Sequence, residues 1–211
     1  MLLPMLLVGC KETTSYNNVA LDRYTLELRA GDTQSVYVVA GDPDNVLWQS
    51  DDEFVATVDG GAISALRIGR TRITANNAAV SVTVVGRSNL YDEPMEGLEW
   101  QMTREQVVDK LGLPDEMADG VLTYNLSSSV NSFVRYTFTG NRLVEAAITV
   151  SRTATSQLDD FLGERYLLLD DSDSRQDKDY IDRLTYDEAT MVVTRTGFDN
   201  DYWIVTYKPL K

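Results

Sequence analysis

The sequence predicts an all-β sandwich over its first third, followed by an α+β domain of two helix-plus-antiparallel-sheet repeats. Three observations lead there. Over residues 20–86, short runs of alternating apolar residues are broken at close intervals by turn residues, as in an all-β unit. Over residues 88–211, a helical segment followed by three strand-like runs occurs twice, about 52 residues apart at the helices. The charge also steps: residues 1–87 carry 10 acidic and 7 basic side chains, residues 88–211 carry 23 and 12. A boundary near residue 87 is the simplest reading. The two repeats then cover about 98–152 and 153–211.

The first ten residues read MLLPMLLVGC. Residues 2–8 are apolar and uncharged, which suits the core of a short signal peptide. The run is far below the roughly 20 residues that a membrane-spanning helix needs. Leu7-Val8-Gly9-Cys10 resembles the lipobox of bacterial lipoproteins, and Cys10 is the only cysteine. That resemblance implies that residues 1–9 are removed as a signal peptide, that Cys10 is the lipid attachment site, and that residues 10–19 form a polar tether. Two or more acyl chains anchor a protein stably, at about 0.8 kcal/mol per buried CH₂. Membrane contact through a lipid anchor in the bacterial cell envelope, at its outer membrane and facing the periplasm or the surface, is the expected location.

In the first unit, strands are expected at 24–28, 34–40, 46–50, 55–58, 62–66, 71–75 and 79–85. Turns are marked by Ala30-Gly31-Asp32, by the cluster 41–45 and by Asp59-Gly60-Gly61, a hairpin signal. The series Leu47-Trp48-Gln49-Ser50, Val55-Ala56-Thr57-Val58-Asp59, Gly61-Ala62-Ile63, Gly69…Ile73-Thr74-Ala75 and Val80-Ser81-Val82-Thr83-Val84 resembles the bacterial Ig-like domain, group 2. The resemblance covers about 65 residues and implies an all-β Ig-like sandwich of the kind that holds another module away from a membrane. Trp48 is expected to fill space between sheets. Asp51-Asp52-Glu53 reads as a solvated loop, because calcium needs 6–8 oxygens from spread positions.

In the second unit, Thr103 and Gln106 form a capping box, and Val107, Val108 and Leu111 supply an apolar helix face. Gly112 ends that helix and Pro114 bars its continuation. Strands are expected at 121–126, 132–139 and 143–150, with Gly140-Asn141 as the last turn. Val134, Tyr136 and Phe138, with Val144, Ala146, Ile148 and Val150, should face the helix. Arg135 and Thr137, with Glu145, Ala147 and Thr149, should face away. A second helix at 156–163 carries Leu158, Phe161 and Leu162. Strands at 166–169, 191–196 and 202–208 follow, around an acidic loop at 170–182. Trp203, Val205 and Tyr207 should be core, with Tyr202 opposite. The stretch from Met102 to Pro114 resembles small outer-membrane lipoproteins of the barrel-assembly accessory type, and the tandem arrangement is similar to β-lactamase inhibitor proteins. Both imply protein binding through sheet faces.

The chemistry is sparse. No histidine is present, which removes the commonest general base and metal ligand. Residues 170–182 lack the glycine and the closing glutamate of a calcium loop, and no nucleophile elbow, phosphate loop or dinucleotide fingerprint occurs. A net charge of −14 disfavours nucleic acid. The sequence therefore points to a non-enzymatic binding or scaffolding lipoprotein with no cofactor and no metal. Its partner is an unidentified protein or a glycan, and the candidate contact residues are Arg135, Glu145, Thr149 and Tyr202. A surface glycan binder and a periplasmic envelope-assembly accessory protein are the alternatives.

Overall fold

The computed structural model describes residues 18–170 and 177–210. Cys10, the expected signal peptide and most of the expected tether lie outside the described residues. Over the described residues the chain is mostly β, with several sheets and two α-helices.

Residues 20–85 form nine strands: β1 (Ala20–Leu21), β2 (Thr25–Arg29), β3 (Thr33–Ser35), β4 (Val38–Ala40), β5 (Trp48–Ser50), β6 (Ala56–Asp59), β7 (Ala62–Ala65), β8 (Gly69–Ala75) and β9 (Ala78–Val85). They make a four-stranded sheet in the order β2-β9-β8-β5, a three-stranded sheet β3-β7-β6 and the pair β1-β4. β2 runs parallel to β9, and the other pairs are antiparallel. Alternation decides which residues meet. Leu26, Leu28, Ile73, Val80 and Val82 of the larger sheet share one apolar core with Ile63, Ala65 and Ala56 of the smaller. Each large side chain buried there contributes roughly 1.5–3 kcal/mol.

One expectation changes and another is narrowed. The run 34–40 is not one strand. β3 pairs with β7 while β4 pairs with β1, and the chain changes sheets at Val36 and Tyr37, whose amides donate to the Gly61 carbonyl and to Asp22 Oδ1, both at 2.9 Å. Trp48 packs on the apolar core as expected, but at its margin, half-buried. Its ring lies against Gly61, where a Cβ would stand 3.1 Å from a ring carbon and φ is +88°. Asp52 Oδ1 accepts from the Phe54 amide at 3.0 Å, so the acidic triplet is a turn.

The second half holds helix α1 (Arg104–Leu111), helix α2 (Thr155–Gly163) and eight strands: β10 (Glu116–Ala118), β11 (Val121–Asn125), β12 (Phe133–Thr139), β13 (Arg142–Ser151), β14 (Leu167–Asp170), β15 (Lys178–Ile181), β16 (Met191–Gly197) and β17 (Tyr202–Pro209). One antiparallel sheet orders them β10-β11-β12-β13-β17-β16-β15-β14. Each helix is thus followed by a four-stranded meander, not three strands, and the last strands of the two meanders pair at the centre. The two strands missing from the sequence reading are β10 and β15. β15 occupies part of the stretch expected to be loop, and residues 171–176 of that stretch lie outside the described residues.

The capping box at Thr103 and Gln106 is present in full, and the Gly112 amide closes α1 on the Val108 carbonyl. Val107 is buried, but Leu111 is 40 % exposed, so the apolar face of α1 is narrower than expected. Leu158, Phe161 and Leu162 of α2 are fully buried. A register shift between Thr137 and Phe138 places Leu143 opposite Phe138. Leu143 therefore takes the core position assigned by strict alternation to Val144, which is half-buried. The segment 88–102 lies along the same core, inserting Tyr91 and Leu98.

Candidate functional site

Residues paired across antiparallel strands point to the same side of a sheet. One continuous row reads Leu122, Tyr136, Ala146, Tyr207, Val193, Tyr180, and every member belongs to the core that includes Val107 of α1 and Leu158 of α2. The adjacent row reads Glu116, Thr123, Arg135, Ala147, Thr206, Thr194, Asp179 and faces the opposite way. Neither helix contributes to that side. Over β10 to β13 and β17 it holds a depression of about 400 Å³, lined by residues that include Glu116, Asp119, Thr123, Arg135, Glu145 and Ile204.

Arg135 is half-buried, with small neighbours Thr123 and Ala147 across the strands. Its guanidinium carbon lies 4.1 Å from the centroid of the Phe133 ring. Phe133 in turn meets Phe198 edge-on, with centroids 5.7 Å apart. The guanidinium carries no ion pair among the described residues, although three carboxylates line the same depression. Glu145 is held by Lys208, with Oε2 2.9 Å from Nζ. The floor is Ala147, which is 3 % exposed. A cation standing over a ring and a small floor offers planar, charge-assisted hydrogen bonding in a partly desolvated place.

Arg135 and Glu145 are therefore brought together, whereas Thr149 and Tyr202 are not part of this depression. Thr149 is fully buried. Its Oγ1 accepts from the amides of Ser132 at 3.1 Å and Phe133 at 3.2 Å, and lies 2.8 Å from Ser132 Oγ. It ties the chain entering β12 to β13 and offers nothing to a partner. Alternation gives the side a residue faces, but not its depth. Tyr202 opens β17 opposite Ser151, its amide donating to Asp199 Oδ1 at 2.7 Å. Trp203 is core, as the sequence implies: its Nε1 donates to Thr155 Oγ1 at 2.9 Å, and the guanidiniums of Arg152 and Arg195 lie 3.9 and 4.4 Å from its ring centroid. Arg195, in turn, pairs with Asp159 of α2.

Glu116, Ala118 and Asp119 are among the lining residues that sequence alone did not place here, with Val121, Thr123 and Ile204. The signal for the first three was present. Asp119-Gly120, with φ of +45° and +80°, is a two-residue hairpin turn joining Ala118 to its partner Val121.

On the core side, a polar cluster pins segment 88–102. Tyr91 and Tyr207 hydroxyls lie 2.9 Å apart, Tyr166 donates to Glu93 Oε2 at 2.5 Å, and Arg165 Nε stands 3.2 Å from Glu93 Oε1. Burial raises all three tyrosines above their ordinary range, and burial also raises Glu93. Among the described residues, no group of three or more His, Cys, Asp or Glu could hold a metal ion, and no helix is long and apolar enough to cross a membrane. The chain matches no protein-family profile and no curated protein sequence.

Proposed function

We propose that this chain is a lipoprotein of the bacterial cell envelope, anchored through Cys10, that acts as a non-enzymatic binding or scaffolding module. In this reading residues 20–86 are an Ig-like sandwich serving as spacer, and residues 88–211 are an α+β domain of two repeats. The helix-free side of the eight-stranded sheet meets a partner protein. The observation that carries the reading is Arg135: a half-buried guanidinium over Phe133, without an ion pair among the described residues, in a depression on that side. Arginine is among the residues that dominate protein interfaces when desolvated.

Two measurements test it. Metabolic labelling with palmitate is expected to mark the parent and not Cys10→Ser; equal labelling of both removes the anchor. Capture of envelope proteins from detergent extract is expected to drop by at least about tenfold for Arg135→Glu, with the melting temperature nearly unchanged, as for a half-exposed position outside the core. Undiminished capture together with a collapse in stability would show that Arg135 is structural and the face wrongly assigned. Binding to a glycan array in place of any protein would favour the sugar-binding alternative.

A further inference from the structure

We infer that the free edge of β10 accepts an extended segment of the partner, alternating basic and apolar residues, as a ninth strand of the sheet. This is a mode of engagement for the partner protein, and so rests on the reading that the helix-free side binds one.

The sheet has two edges, and they differ. At one end, β14 is drawn against the N-terminal sheets, where Leu167 packs on their core. At the other end, β10 pairs, among the described residues, only with β11 and is exposed at every residue. Edge strands carry unpaired backbone groups and are blunted by short length, charge, proline, a bulge or a covering element. β10, three residues long and holding Glu116, is short and acidic. Within β10, no lysine or proline stands guard. Instead, large apolar side chains are left in water around it: Leu113 is 83 % exposed and Met117 is 54 % exposed.

Charge and register together specify what would pair there. Asp115, Glu116 and Asp119 flank or belong to the strand, and no Lys or Arg occurs from residue 111 to 134. A second copy of this chain would set carboxylate against carboxylate, which is destabilising directly across strands. A basic segment meets the opposite sign. Glu116 and Ala118 point to the helix-free side and line the depression that holds Arg135, while Met117, opposite the buried Leu122, points to the other side. An added strand must alternate in the same way. Its residues beside Glu116 and Ala118 are basic, the one between them is apolar and covers Met117, and main-chain hydrogen bonds supply the affinity.

The test uses the full chain in detergent micelles and a blocked octapeptide of alternating Lys and Val as the probe. Backbone amides at 116–118 are expected to shift and to exchange at least tenfold more slowly with peptide bound, while those at 167–170 do not change. A block peptide of four Lys then four Val has the same charge and composition without the alternation, and is expected to bind at least tenfold more weakly. Glu116→Lys is expected to weaken the alternating peptide by at least tenfold, while the same charge reversal at the exposed Glu27 of β2 is not. Unchanged exchange at 116–118 under saturating peptide overturns the inference. Equal protection by the block peptide, or undiminished binding by Glu116→Lys, overturns it too, since charge attraction alone would then explain the binding. Those failures would leave the Arg135 capture result standing. Conversely, protected edge amides with capture unaffected by Arg135→Glu would retire the face reading and keep the edge.

Discussion

Glu93 is a carboxylate placed where water is scarce. Its partners, the Tyr166 hydroxyl and the Arg165 guanidinium, both favour the charged form, yet burial outweighs them and its pKa stands above the ordinary 4.5. The consequence for stability follows from linkage. The folded state holds the proton more tightly than the unfolded chain. The stabilisation is therefore complete below pH 4.5 and is lost as pH rises through the raised folded value. Glu93→Gln removes this titration. The variant should gain on the parent, in the difference of melting temperatures, as pH is raised from below 4.5 through the weakly acidic range. A difference that stays flat, or runs the other way, would mean that the ion pair with Arg165 controls the site. Thr149 makes the complementary point. A neutral hydroxyl, fully buried, is tolerated because its hydrogen bonds are all made.

At the scale of elements, what the sequence disclosed was local chemistry. The capping box of α1, the Gly140-Asn141 and Gly60-Gly61 turns and the apolar stripe of α2 each follow from a few adjacent residues, and each is where the local rule places it. What stayed hidden depends on partners distant in sequence. β10 has three residues, all exposed, and exists because β11 is beside it. β15 is a strand through its pairing with β16 and β14, although its residues Lys178 and Asp179 read as loop. The bulge at Thr137 exchanges Leu143 for Val144 in the core, which period-two counting cannot anticipate. The candidate site divides along the same line. Arg135 and Glu145 were legible from alternation on β12 and β13, whereas Glu116 and Asp119 needed the hairpin turn to be recognised first.

On the scale of the whole molecule, the question is whether the two cores move as one. The junction runs through residues 86–88, and Glu164 at the end of α2 holds it. Its Oε2 accepts from the amides of Arg87 at 2.9 Å and Ser88 at 3.1 Å, and its carbonyl accepts from the Ile68 amide at 2.8 Å. Arg87 reaches back to pair with Asp32 and donates its Nε to the Ala30 carbonyl at 2.8 Å. A Cβ at Gly86 would stand 2.8 Å from Ile68 Cδ1, the movable end of that side chain, and 3.1 Å from Glu164 Oε2. If residues 20–86 are the spacer proposed above, the chain must resist bending at this point. Glu164→Ala takes the acceptor from both linker amides and leaves each core intact. Limited trypsin cleavage after Arg87 should therefore accelerate by about tenfold or more, since ~1.4 kcal/mol of local opening is a factor of ten, while the melting temperature changes little. Glu164→Gln keeps a side-chain oxygen as acceptor and should stay close to the parent. Should Glu164→Ala be cut no faster, then the Arg87–Asp32 pair and the packing of Leu167 hold the junction without it, and the double variant Glu164→Ala with Asp32→Ala becomes the one expected to open.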